Sequence, residues 1–196
     1  MAFKSDADLG IRIAFFYPIL SITLHDNFLF RALSSTKMQT KTNIKIPLTK
    51  PEKEQLKFSK IKMNDIPNYA IDELEVMLNV SFGRAREILA LIEFQTIPSI
   101  GIKFAEDLIY VGYYSINELK DKDGAKLTEE FEQLKGYWID PCVEDQFRLV
   151  VHYANTKDKI KKWWDFTEER KKFRLEKGYP ANRPKKAWHE TLKMKT

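Results

Sequence analysis

Apolar residues recur at helical spacing along most of the chain after residue 60. Ile71, Leu74, Met77 and Leu78 share one face of a helix. Ala85, Ile88, Leu89 and Ile92 form a second stripe, and Phe104, Ala105, Leu108 and Ile109 a third. Leu127, Phe131 and Leu134 mark a helix in a looser region bounded by Gly124 and Gly136. Val143, Phe147, Val150, Val151 and Ala154 then line one face of the best-defined helix of the C-terminal half. With only 7 glycines in 196 residues, this periodicity predicts an all-α fold.

Start and stop signals sharpen the pattern. Thr49-Lys50-Pro51-Glu52 reads as a capping box, opening a short helix from about Pro51 to Phe58. Ser81 can cap the helix entered by Gly83-Arg84-Ala85-Arg86. Ser115-Ile116-Asn117-Glu118 is another capping box, after a bend at Val111-Gly112. Asp140 is a good N-cap with Pro141 at the first helical position, and Glu144 and Asp145 there complement the helix dipole. A charged helical run from Glu168 to Lys177 is broken by Gly178 to Pro184, where Pro180 and Pro184 favour an extended path.

The second and third stripes are joined by Ile97-Pro98-Ser99-Ile100-Gly101. Pro98 presets φ, and Gly101 tolerates positive φ and close approach of another backbone. Helix, tight turn and helix make a helix-hairpin-helix. Main-chain N–H groups of Ser99, Ile100, Gly101, Ile102 and Lys103 would then face outward at a helix N-terminus, where the dipole favours a phosphate. The same pattern also serves as a plain helical corner. Val80-Ser81-Phe82-Gly83 reads as a first, degenerate hairpin, so the expectation is a tandem helix-hairpin-helix, or SAM-like, domain over about Lys60–Leu119 with a C-terminal helical extension. Arg84 and Arg86 beside the first hairpin could contact phosphate or pair with Glu87 and nearby acids.

Several separated motifs carry a family resemblance. The run Ile97 to Leu108, then Gly112-Tyr-Tyr-Ser-Ile-Asn-Glu-Leu119, then Asp140-Pro-Cys142 and Phe147-Arg148, resembles the bacterial pathogenicity-locus family. Trp163-Trp164-Asp165-Phe166-Thr167 fits the same family, and the resemblance extends roughly from Lys60 to Arg174. Members are often labelled mitomycin-resistance-like or helix-hairpin-helix proteins. The resemblance implies DNA binding through the hairpin and a DNA-damage context. The chain departs from the usual hairpin at Ser99, where a first glycine is customary.

Charge divides the chain more sharply than its net +5 indicates. Residues 37–62 carry 8 Lys and 2 acids, residues 63–156 carry 8 basic and 17 acidic residues, and residues 157–196 carry 14 basic and 6 acidic. The organisation expected is an N-terminal extension over 1–37, a Lys-rich leader over 38–62, the hairpin domain with packing helices over 63–156, and a basic aromatic extension over 157–196. The apolar run Ile11 to Leu24 is too short to span a bilayer. Asp6 and Asp8 spoil the basic start of a signal peptide. Met38 is a candidate natural start, which would make the preceding residues upstream translation. The hairpin domain is acidic, so any attraction for DNA must come largely from lysines of the flanks.

Little else in the sequence carries chemistry. One cysteine excludes an internal disulfide and fits a reducing cytoplasm. Cys142 stands near a helix N-terminus, where a thiol can be activated. His152, however, lies more than two turns farther along and cannot serve as its base. A packing cysteine is the preferred reading. Three histidines and this cysteine show no metal-ligand spacing, and no cofactor or catalytic residue is assigned. Lys161-Lys162-Trp163-Trp164 could stack on nucleic acid, although Trp163 and Phe166 lie at a spacing that docks them on the domain. The leading expectation is a noncatalytic, sequence-independent binder of duplex or branched DNA. The alternative is a helical protein-interaction module using its acidic core surface. Neither a membrane nor a small-molecule substrate is expected.

Overall fold

The computed structural model describes residues 44–192, and the chain divides between Lys37 and Met38. The expectations for 1–37 therefore lie outside the described residues. Among those residues the protein is all-helical, with eight α-helices and three 3-10 turns. They are α1 (Lys50–Phe58), α2 (Ile71–Leu78), α3 (Phe82–Gln95), α4 (Ile102–Val111), α5 (Gly124–Lys135), α6 (Pro141–Thr156), α7 (Thr167–Lys177) and α8 (Trp188–Leu192). The 3-10 turns span Met63–Asn68, Ile116–Leu119 and Trp163–Phe166. None of the helices described is long and apolar enough to cross a membrane.

The start signals act as their chemistry requires. Thr49 Oγ1 accepts from Glu52 N while Glu52 Oε2 accepts from Thr49 N, closing the capping box of α1. Ser81 Oγ accepts from Arg84 N at the start of α3, and Asp140 Oδ1 from Cys142 N at the start of α6. Ser115 Oγ accepts from Glu118 N, but Glu118 Oε2 reaches Tyr114 N rather than the cap residue. Gly112 ends α4 at φ 106, a left-handed conformation that a side chain resists.

Helix α3 is the shared wall of two apolar cores. Ala85, Ile88 and Ile92 face a smaller core with Leu48, Leu56, Ile66, Leu74 and Leu78. Leu91 and Phe94 face a larger one, with Ile97, Ile100, Phe104, Leu108, Phe131, Phe147, Val150 and Phe166. The two predicted hairpin turns thus flank a single helix, and their apolar residues serve different cores. Rings of Phe104, Phe147 and Phe131 meet edge-to-face at 4.9 and 5.6 Å in the larger core. Leu134 departs from its expected role. It is 50% exposed, with its carbonyl accepting from the Tyr110 hydroxyl.

The C-terminal extension is built into the larger core. Phe166 is buried and Trp163 half-buried against it. Beyond α7 the chain returns to pair Trp138 with Ala187 in an isolated parallel bridge. Three of the extension's arginines neutralise buried acids of α5 and α6. Arg170 Nε donates to Asp145 Oδ1 at 2.7 Å, Arg174 Nε to Glu144 Oε2 at 2.9 Å, and Arg183 Nη2 to Glu132 Oε1 at 2.6 Å. The sequence places Glu144 and Asp145 where they complement the dipole of α6. They are 2% and 1% exposed; removal of Arg170 would strand the Asp145 charge, whereas Glu144 has Arg148 as a second partner.

Candidate functional site

The turn between α3 and α4 is set by buried apolar anchors. Ile97 and Ile100 are buried on either side of Pro98 and Ser99, and Ile100 N donates to Ile97 O at 3.2 Å. This closes the turn around Ser99, which sits at φ 61. The position takes the left-handed conformation that glycine adopts without strain and that a side chain resists. Serine compensates through its side chain. Ser99 Oγ accepts from Trp163 N at 3.1 Å and ties the C-terminal extension to the turn.

Gly101 is the N-cap of α4, with φ −105 and ψ 176. These angles are open to any residue, and a Cβ built there meets nothing within 4 Å. Neither conformation nor packing requires glycine at 101. Its effect is to leave the helix start uncovered. There is no side-chain cap on α4, and the main-chain N–H groups of Gly101, Ile102, Lys103 and Phe104 have no hydrogen-bond acceptor among the described residues. The first intrahelical bond is donated by Ala105 N to Gly101 O. Four orphan donors and the positive end of the α4 dipole therefore point the same way.

These donors open on a shallow cavity of about 300 Å³, lined by Lys45, Gln95, Gln146 and residues 100–104. Gln95, only 4% exposed, holds the Lys-rich leader against this cavity. Its Oε1 accepts from Lys45 N at 3.0 Å and its Nε2 donates to Lys45 O at 2.8 Å. Lys45 and Lys103 both line the cavity and are exposed. Neither forms an ion pair within the described residues. The arrangement offers an anion directed main-chain donors, two cations and no facing carboxylate in the lining.

The first turn is built differently. Ser81 occupies the start of α3 with its own hydroxyl, and Gly83 follows on the exposed first turn. Arg84 is engaged internally, with Nε 2.8 Å from Glu52 Oε1, Nη1 3.1 Å from Glu87 Oε2 and Nη2 2.8 Å from Pro47 O. These bonds raise the Arg84 pKa and lower that of Glu52. Arg86 pairs with Glu118 at 3.2 Å and lies 4.0 Å over the Tyr114 ring. Both arginines brace the fold from positions near the turn. Lys161 and Lys162 lie just before the Trp163–Phe166 turn. The Lys161 ammonium stands 5.2 Å over Phe166, and Lys162 Nζ reaches Lys159 O at 3.5 Å.

Cys142 has the character of a packing residue. It is half-buried, and burial together with Asp140 pushes its thiol up to about 12. Among the described residues no cluster of three His, Cys, Asp or Glu side chains could hold a metal ion. Of the turn residues expected from the sequence, Ile100, Gly101, Ile102 and Lys103 line the cavity and Ser99 does not, and the Ile100 N–H, expected to face outward, is spent on Ile97 O; Lys45, Gln95 and Gln146, not expected there, line it too. Lys45 meets Gln95 across 50 positions of chain, and no local pattern signals such a contact.

Among curated proteins and among solved structures, nothing matches the chain. A family model does match, from within α3 to within α7, and it takes in the Ile97–Gly101 turn and most of the larger core. The matched residues are 87–172, and the model is that of the Cdd1 family, described as pathogenicity locus.

Proposed function

We propose that this is a noncatalytic, sequence-independent DNA-binding protein. In this reading α3, the Ile97–Gly101 turn and α4 act as a helix-hairpin-helix, and α2, the Asn79–Ser81 turn and α3 as a degenerate first unit of a SAM-like tandem. One observation carries it: four main-chain donors at the start of α4 with no acceptor among the described residues, at a cavity that Lys45 and Lys103 also line. The second unit grips a backbone phosphate through the amides of Gly101, Ile102 and Lys103. The first unit, filled by Ser81 and with Arg84 and Arg86 already engaged, contributes shape rather than grip. Exposed lysines of the leader and extension supply the salt-dependent attraction.

The alternative, a protein-interaction module using an acidic core surface, has less to draw on than the charge count implies. Glu132, Glu144 and Asp145 are buried and paired with arginines, so they are not on a surface at all. The test is a salt-titrated binding measurement on duplex DNA. Affinity should fall steeply with salt, and Lys103→Glu should weaken it at every salt concentration. Unmeasurable affinity at low salt would overturn the reading.

A further inference from the structure

The extension places an aromatic side chain beside the hairpin that the phosphate site does not use. Trp163 N is held by Ser99 Oγ at 3.1 Å, so the Trp163–Phe166 turn lies against the α3–α4 turn. Trp163 and Phe166 are the packing half of this turn, consistent with their place in the larger core. Trp164 is the other half. Its ring meets Trp163 edge-to-face at 5.3 Å and remains 53% exposed. Before it stand Ile160, 85% exposed, and the exposed Lys161. A large exposed ring held by a packed neighbour, with Lys161 and Lys162 before it and Asp165 after it, has the composition of a base-stacking platform. Its charge complements a polyanion, and stacking needs a base whose face is free.

We infer that Trp164 stacks on an unpaired base next to the duplex, so that the preferred substrate is DNA at a junction between paired and unpaired strands. This rests on the phosphate-gripping reading of the α4 start, which positions the duplex. The hydrogen bond between Ser99 and Trp163 couples the two. It fixes the platform to the turn that grips the backbone, so one phosphate contact sets the register of the stacked base. A plain duplex reaches only the lysines and the hairpin. A forked or overhanging end reaches the ring as well.

The test compares a blunt duplex with the same duplex carrying an unpaired arm, titrated at equal salt against the full chain. The wild-type protein should bind the armed duplex about tenfold more tightly. Trp164→Ala should abolish that preference with duplex affinity unchanged, and Trp164→Phe, which keeps a ring, should retain most of it. Iodouracil at the first unpaired position should cross-link to Trp164 in the wild-type protein on irradiation, a readout independent of any variant's folding. An equal preference in wild type and Trp164→Ala, or cross-linking elsewhere only, overturns the inference. If duplex binding responds to Lys103→Glu while the arm makes no difference, this inference fails alone. If no DNA binds at all, it falls with the reading beneath it.

Discussion

Gly101→Asp separates stability from binding in one substitution. The backbone at 101 is extended, and the new Cβ meets nothing within 4 Å, so aspartate enters without strain. Its carboxylate then does what Ser81 does for α3 and accepts from the N–H of Lys103 or Phe104. Aspartate exceeds glycine as an N-cap by a few tenths of a kcal/mol, and a negative charge there adds about 0.3–1 kcal/mol through the dipole. The fold should gain about 0.5–1 kcal/mol, a rise in Tm of roughly 1–4 °C for a domain of this size. The same carboxylate occupies the donors a phosphate would use. Losing one charge-assisted hydrogen bond costs about 1.5–3 kcal/mol, so duplex affinity should fall about tenfold or more. Thermal melting and a fluorescence anisotropy titration at low salt read the two effects. A Tm lowered by several degrees would mean that the amides are not free. An affinity within about twofold of wild type would mean that no phosphate sits there.

Other substitutions test the frame around the site. A Cβ at Gly124 lies 2.7 Å from the Arg148 Cα and 2.8 Å from its N, so Gly124→Ala forces α5 away from the α6 backbone. The cost should approach the upper end of overpacking, about 3 kcal/mol, with a drop in Tm of roughly 6–12 °C in a melt. Cys142, pushed up to about 12, should react with iodoacetamide at mildly alkaline pH at least about tenfold more slowly in native protein than in urea. Glu52 is held below its ordinary 4.5 chiefly by its hydrogen bonds to Arg84. A carboxyl lowered on folding contributes stability that is complete above 4.5 and lost as pH falls through its lower native value. The deficit of Glu52→Gln in urea unfolding should therefore be largest near about pH 6 and shrink by about pH 3.

Helix starts and apolar stripes were legible in the sequence because their causes are local. Thr49, Ser81 and Asp140 cap helices through atoms two or three residues away, and the residue types announce it. The stripe through Ala85, Ile88 and Ile92 was equally plain, yet it described half of α3. Leu91 and Phe94 serve a second core, and a helix buried on two sides blurs its own periodicity. The buried acids were illegible for a different reason. Glu144 resembles a dipole-complementing residue with an i,i+4 partner in Arg148, and its second partner, Arg174, stands 30 positions on. A charge count cannot distinguish a solvated acidic surface from acids neutralised in the interior. At the site, Gly101 is readable as a turn residue that permits positive φ and close approach of another backbone. The observed φ of −105 shows that the strained position is Ser99 instead, and that glycine at 101 matters for what it leaves uncovered.

The central claim is that main-chain donors at the start of α4 hold a phosphate. Amide resonances followed by proton–nitrogen correlation spectroscopy during a duplex DNA titration test it most directly. Gly101, Ile102, Lys103 and Phe104 should shift together and saturate with the binding curve, ahead of amides at the Ser81-capped start of α3. Shifts confined to other surfaces, with these four amides unmoved at saturation, would contradict it.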